Sequence, residues 1–256
     1  GIGEIESTTL YKGEANKIKR LKGINYPHSL GLLWEKLSEF LGFTGYDASK
    51  VMGLASYGKP RYVHKFKDMI VLNGGGHFEI QEHNFEEEFG PRRVKGQKFL
   101  RRHFDIAHSL QAVLEDTVLY LSDWLHEVTQ EENLCMAGNV ALNCVMNGRL
   151  REKGPFKNIW IQPAAGDAGT ALGAALWIDS IKRKPQGRKY VMEDVFLGPG
   201  FSDEEIEKIL IWSKVPYRLM KDIARETVDL LLKDQVLGWF QGRMEFGPRA
   251  LGGRSI

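Results

Sequence analysis

The stretch Asn158-Ile159-Trp160-Ile161-Gln162-Pro163-Ala164-Ala165-Gly166-Asp167-Ala168-Gly169-Thr170-Ala171-Leu172-Gly173-Ala174-Ala175-Leu176 limits the possible folds more than any other. It opens as a short apolar run, suited to a buried strand. It then crosses a loop of Pro, Ala and Gly around one acid. It closes in a small-residue helix with Leu172, Ala175, Leu176 and Ile178 along one side. Small residues let backbone N–H groups approach a ligand, and a helix N-terminus attracts anions. An acid there would repel a phosphate unless a cation lay between them, so Asp167 suggests phosphate plus metal. The alternative is that Asp167 caps the helix. Both readings stand at this point.

The same pattern occurs just upstream. Asn133 to Ala137 reads as a buried strand. Gly138-Asn139-Val140-Ala141-Leu142-Asn143 then turns directly into a helix that ends near Lys153. Two consecutive strand–turn–helix units imply parallel strands joined by right-handed crossovers. Ligands of such sheets sit beyond the carboxyl ends of the strands. Gly138-Asn139 is therefore expected beside Gly166-Asp167-Ala168-Gly169.

Other elements surround this pair. Residues 4–11 and 17–24 read as a hairpin. Ser29 to Phe43 reads as a helix stopped by Gly42. Residues 61–100 are charged and irregular, with Asn73-Gly74-Gly75-Gly76 as a turn between short strands. Asp105 to Gln130 is the longest helix, with Ile106, Leu110, Val113, Leu114, Leu121, Trp124, Leu125 and Val128 at helical spacing. Lys182-Arg183-Lys184-Pro185-Gln186-Gly187-Arg188-Lys189 has a linker's composition. Ser202 and Glu205 form a capping box. A helix from Asp222 to Asp234 and a buried strand from Val236 to Phe240 precede a glycine- and arginine-rich end.

Composition excludes several classes. The 256 residues carry 35 Lys+Arg against 33 Asp+Glu, a formal charge of +2, which calls for neither nucleic acid nor an anionic membrane. No apolar run approaches ~18 residues. Cys135 and Cys144 have no metal or redox spacing, and their apolar surroundings predict reduced, buried thiols and a cytoplasmic setting. There is no P-loop lysine motif and no dinucleotide fingerprint. Gly53-Leu54-Ala55-Ser56-Tyr57-Gly58 lacks the glycine spacing of a nucleophile elbow. The histidines are expected to be structural or at the surface, with His28, just before a helix, placed to cap it or reach the cleft. The first residue, Gly1, suggests a piece of a longer chain; the stop after one strand and its glycine-rich loop suggests truncation at the other end too, and the piece is expected to be catalytically silent alone.

Several long motifs occur here in one order: Pro27-His28-Ser29-Leu30-Gly31, Lys50-Val51-Met52-Gly53-Leu54-Ala55-Ser56-Tyr57-Gly58, Gly138 to Asn143, Gln162 to Ala175, and Gly242-Arg243-Met244-Glu245-Phe246-Gly247-Pro248-Arg249-Ala250-Leu251-Gly252. Across nearly its whole length the chain resembles the O-carbamoyltransferase family of nodulation-factor and antibiotic biosynthesis, the NodU/TobZ/CmcH type. The resemblance implies an α/β fold: an actin-like ATPase (ribonuclease H-like) lobe with a mixed sheet and helices, similar to the tRNA threonylcarbamoyl transferase, followed by the start of an α+β YrdC-like domain. The implied boundaries are 1–181 for the second lobe of the transfer domain, 182–193 for the linker and 194–256 for the YrdC-like part.

The implied chemistry is ATP-dependent. The YrdC-like domain makes carbamoyl-adenylate from carbamoyl phosphate and ATP. The actin-like domain passes the carbamoyl group to a hydroxyl of a small-molecule or sugar acceptor, releasing AMP. The resemblance also implies a divalent metal, iron in related proteins, near the adenylate phosphate, held by a histidine pair and acids. Its metal-binding acid falls on Asp167, which is also the implied catalytic residue. Its phosphate turn falls on Gly1, Gly3 and Glu4. The remaining implied nucleotide contacts are Lys50, Gly138, Asn139, Asn143, Gly166 and Gly169. No counterpart of the histidine pair occurs in this sequence.

Arg243, Arg249 and Arg254 suit phosphate oxygens, as guanidinium forks do, and are expected to bind carbamoyl phosphate; the alternative is pairing with Glu245. A homodimer is one expected arrangement, through an apolar or glycine-rich inner face. The competing reading is a phosphotransferase of the same superfold, of the sugar or acetate kinase type, because fold does not fix function. A non-enzymatic nucleotide-dependent scaffold is the third.

Overall fold

The computed structural model describes residues 3–44, 47–182 and 191–256. They are mixed α and β and form two compact units, residues 1–185 and 186–256. Gly1 and most of the expected linker lie outside the described residues.

The first unit opens with the antiparallel hairpin β1 (Glu6–Glu14) and β2 (Lys17–Asn25). Helices α1 (Leu30–Phe40), α2 (Ala48–Ala55) and α3 (Val63–Met69) follow. Ser29 starts α1, its hydroxyl accepting the Leu32 N–H at 3.3 Å, which supplies a partner to one of the orphan donors of the first turn. Leu30, Leu33, Trp34, Leu37 and Phe40 bury one face. Trp34 Nε1 donates to the Ala48 carbonyl at 2.8 Å, pinning α2 against α1.

The expected strand–turn–strand within residues 61–100 is β3 (Ile70–Leu72) and β4 (Phe78–Ile80), paired antiparallel. That region is less irregular than its charge suggested. It also contains α3 and α4 (Phe85–Phe89), whose Phe66, Met69 and Phe89 reach the core. Rings of Phe40, Phe66, Phe85 and Phe89 pack together, so a few aromatic anchors hold otherwise polar segments.

Helix α5 (Arg101–Thr129) is the spine. Ile106, Leu110, Val113, Leu114, Leu121 and Leu125 are buried along it, as their spacing predicts. Gly58 touches it closely; a Cβ there would lie 2.0 Å from the Phe104 carbonyl oxygen. Asp105, buried near the start of α5, accepts the Lys59 N–H at 2.8 Å and pairs with Arg61 and Arg101.

Strands β5 (Asn133–Met136) and β6 (Asn158–Ile161) are parallel, in register Asn133 to Asn158. Between them lie a 3-10 turn, Asn139–Leu142, and α6 (Cys144–Lys153). After β6 come a second 3-10 turn, Asp167–Gly169, and α7 (Thr170–Lys182).

Four expectations need correction. The first unit has no continuous mixed sheet: its described strands form three separate two-stranded ladders. The hairpin approaches the parallel pair through a side chain, Lys12, whose Nζ lies 2.9 Å from Glu131 Oε1. Cys135 and Cys144 are free but exposed, because strand alternation turns Leu134 inward and Cys135 outward, while Cys144 opens α6 at the surface. The apolar side of α7 is not buried; Leu176, Trp177, Ile178 and Ile181 are all about half exposed. Val128, on the last turn of α5, is also half exposed.

The second unit holds α8 (Asp203–Ser213), started by the expected Ser202–Glu205 capping box, and α9 (Ile223–Leu231). The strand expected from Val236 shrinks to β7 (Trp239–Phe240), paired antiparallel with β8 (Arg254–Ser255). Val236 is almost fully exposed, so no burial draws it into the strand.

Candidate functional site

The two turns that follow β5 and β6 touch. Gly138 N–H donates to the Ala165 carbonyl at 2.6 Å. Gly138 adopts φ +100°, which a side chain would oppose. A Cβ on Gly166 would lie 2.1 Å from Asn139 Oδ1, so the asparagine amide rests on the bare face of this glycine. Gly169 is tight for another reason: its Cβ would fall 2.1 Å from the Ala164 carbonyl oxygen. Sequence reasoning places these turns side by side, and the parallel pairing of β5 and β6 does so.

Asp167 begins its 3-10 turn from an exposed position. The turn's N-cap is Gly166, with no side-chain capping bond, so Asp167 does not serve as the cap. Its main-chain carbonyl accepts the Thr170 hydroxyl at 2.7 Å. Neither the Asp167 carboxylate nor the Asn139 amide has a hydrogen-bond or ion-pair partner among the described residues. Two polar side chains thus stand unspent where the parallel strands end, on turns rigidly joined to each other.

Asn143 behaves differently. It is buried, and its Oδ1 accepts both the Met146 N–H at 3.0 Å and Gln111 Nε2 at 3.2 Å. Its Nδ2 donates to Gln111 Oε1 at 2.8 Å. Both oxygen lone pairs are used inside the protein, so its first role is to cap α6 and pair with α5. Gln111 escaped the sequence reading. The signal was a polar residue on the same face of α5 as Leu114 and Val118.

The other candidates make local contacts of their own. Gly3 N–H donates to the Glu6 carbonyl at 2.7 Å in a turn before β1, and Glu4 is exposed there. Lys50, on α2, pairs with Asp47 at 2.8 Å. Lys50 and the Thr44 hydroxyl and N–H together hold the Asp47 carboxyl down at about 2. His28 accepts the Ile80 N–H on Nδ1 at 3.0 Å, a structural role. Among the described residues, no three His, Cys, Asp or Glu side chains converge as a metal-binding group.

In the second unit the three arginines divide. Arg243 Nε donates to the Gly198 carbonyl at 2.8 Å and anchors the loop to residues 197–198. Arg254 Nε lies 2.7 Å from Glu245 Oε2, an ion pair whose angle falls outside a hydrogen bond. The Glu245 side chain is wholly buried, and its Oε1 accepts N–H groups from Leu251, Gly253 and Arg254 at 2.8–3.1 Å. Burial opposes its ionisation, but these N–H groups outweigh that and hold its carboxyl at about 2. Arg249 has no such partner among the described residues.

Comparison with known proteins gives a consistent picture. The family model described as carbamoyltransferase N-terminus matches residues 1–176, and that described as carbamoyltransferase C-terminus matches residues 228–256. An uncharacterised protein of Synechocystis, sll1178, is 43% identical over 100% of this chain and 45% of its own length. The nodulation protein NolO of Bradyrhizobium diazoefficiens is 38% identical over 100% of this chain and 48% of its own. Nodulation protein U of Rhizobium tropici is 32% identical over 58% of this chain and 24% of its own. The chain thus spans less than half the length of these relatives. Among the described residues no helix is long and apolar enough to cross a membrane.

Proposed function

Because the chain belongs to the carbamoyltransferase family, we propose that its first unit forms one wall of a site where a nucleotide-activated carbamoyl group passes to an acceptor hydroxyl. The observation that carries this is the contact of Asn139 with Gly166 beside the unpartnered Asp167 carboxylate. Together they present an amide, a carboxylate and the start of a helix beyond the ends of two parallel strands. The family match favours this reading over a phosphotransferase of the same superfold.

In this proposal the substrate is carbamoyl-adenylate, made from ATP and carbamoyl phosphate. The acceptor oxygen bonds to the carbamoyl carbon. The bond from that carbon to the phosphate oxygen breaks, AMP leaves with the electron pair, and the hydroxyl proton passes to solvent. AMP is a good leaving group, so the protein's task is to hold the phosphate and orient the hydroxyl. Asn139 and the N–H groups of Asp167 and Ala168 face the nucleotide, the Gly169 N–H being bonded to the Gly166 carbonyl. Asp167 supplies a carboxylate to a ligand hydroxyl or cation.

A metal is implied by the resemblance; among the described residues Asp167 does not belong to any group of three His, Cys, Asp or Glu side chains that could hold one. A bound metal would need further donors.

For the second unit we assign phosphate contact to Arg249, since Arg243 and Arg254 are occupied in shaping the loop. The intact protein, however far it extends beyond this chain, tests the reading when incubated with ATP, carbamoyl phosphate and hydroxylated acceptors. AMP, pyrophosphate and carbamoylated acceptor are expected. ADP formation would point to a kinase, and neither nucleotide to a scaffold.

A further inference from the structure

We infer that Gln111, which lies on α5 and touches no proposed ligand, is the positioning residue for the turn that carries Asn139. The inference rests on the reading of this turn as nucleotide-facing only for its catalytic meaning; the mechanical part stands on geometry.

The turn from Gly138 to Asn143 is fixed at two ends. At its start, Gly138 N–H is held by the Ala165 carbonyl. At its end, Asn143 is held by a reciprocal amide pair with Gln111, at 2.8 and 3.2 Å. Gln111 Nε2 also donates to Glu115 Oε1 at 2.7 Å, one turn further along α5, which sets which way the Gln111 amide faces. Internal bonds brace the span: Ala141 N–H to the Gly138 carbonyl, Asn143 N–H to the Val140 carbonyl, and Asn147 Nδ2 to the Ala141 carbonyl at 2.8 Å. Asn139 lies between the two anchors and has no side-chain partner of its own, so its place is set by them.

Burial gives the far anchor its strength. Gln111 and Asn143 are 5% and 9% exposed. In a low-dielectric setting a satisfied amide pair is rigid, and a half-satisfied one is costly. The pair also crosses between elements. It couples a turn at the end of a two-stranded ladder to the longest helix of the core. Without it, the turn would keep the Gly138 bond, the Asn147 bond, the α6 cap and the packing of Val140 and Ala141, but lose its hydrogen-bonded tie to α5.

Hydrogen exchange on the intact protein, without ligand, tests this. In Gln111→Leu, exchange in peptides covering residues 138–143 should rise about tenfold, as expected for loss of a buried hydrogen bond. Asn143→Ser keeps an N-cap for α6 but loses the pair; it should loosen the same peptides, and the double variant should loosen them no further. Leu121→Ala, elsewhere on α5, serves as a control for general destabilisation. If residues 138–143 exchange no faster in Gln111→Leu than in that control, or if the two single effects simply add, the inference is overturned. Nucleotide affinity separates the two readings. Selective loosening with weakened affinity supports both. Selective loosening with affinity unchanged upholds Gln111 as the positioner and overturns the nucleotide-facing role of the turn.

Discussion

Gly138 N–H reaches across to the Ala165 carbonyl at 2.6 Å, so the glycine turn after one parallel strand is bonded to the loop after the next. This bond makes the two turns one surface. Two glycine substitutions on that surface should behave oppositely. Gly138 has φ +100° and open space around an added Cβ, so Gly138→Ala meets backbone strain alone, of about 1–3 kcal/mol. Gly166 has φ −84°, which alanine accepts, but the new methyl would displace the Asn139 amide. Gly166→Ala should leave the melting temperature nearly unchanged while transfer activity falls; equal melting losses in both variants would contradict this.

Asp167→Asn should abolish carbamoyl transfer with little change in thermal stability. The side chain is exposed and makes no capping bond, so the fold loses nothing by its neutralisation. Adenylate formation, assayed separately as pyrophosphate release, should survive. Equal loss of both half-reactions would place Asp167 outside a dedicated transfer site.

Leu114 sits on the buried face of α5 at 3% exposure. Leu114→Ala should cost about 2–5 kcal/mol through lost burial and the cavity left behind. Chemical denaturation measures it, and an unchanged midpoint would mean the face is not core.

His103 gives a pH signature. Its Nδ1 accepts the Leu100 N–H at 3.0 Å, and its Nε2 is buried without a partner. Burial, with Arg102 and Arg93 nearby, pushes the imidazole down to about 4 from 6.5. Between these values the unfolded chain binds more protons than the folded one. Stability is therefore complete above pH ~6.5 and is lost as the pH falls toward ~4, by about 3 kcal/mol at most. His103→Gln, which keeps an acceptor for Leu100, should flatten that part of the melting-temperature profile.

Arg249→Ala should weaken adenylate formation without lowering stability, since the guanidinium holds nothing in the loop. Arg254→Ala and Glu245→Gln should loosen the loop itself, because Glu245 gathers three N–H groups and one guanidinium. Limited proteolysis between residues 241 and 255 would report the difference. Cleavage of Arg249→Ala as fast as Arg254→Ala would remove the distinction.

Much was legible in the sequence because it is written locally. The parallel pair, the long helix and the Ser202 capping box each declare themselves through short-range periodicity and turn chemistry, which depend on neighbours a few residues away. The contact of Gly138-Asn139 with Ala165-Gly166, beside Asp167, followed from two such units in succession. Helices α3 and α4 did not declare themselves, since each spans two turns or fewer and is held by one or two aromatic anchors in the core. The outward turn of Cys135 depends on strand register, which a stretch of apolar letters does not encode.

What only the tertiary structure decided is how the polar groups are spent. Asn143 reads as a ligand contact until Gln111 arrives from α5 and takes its amide. Arg243, Arg249 and Arg254 read alike until the loop closes on Glu245 and occupies one, while the Leu197 and Gly198 carbonyls occupy another. Asp167 reads equally as cap or ligand until the turn begins at Gly166 and leaves its carboxylate unpaired. The physical reason is common to all three. Most buried polar groups find a partner, the partner is seldom near in sequence, and the groups left over are known only once the chain has closed.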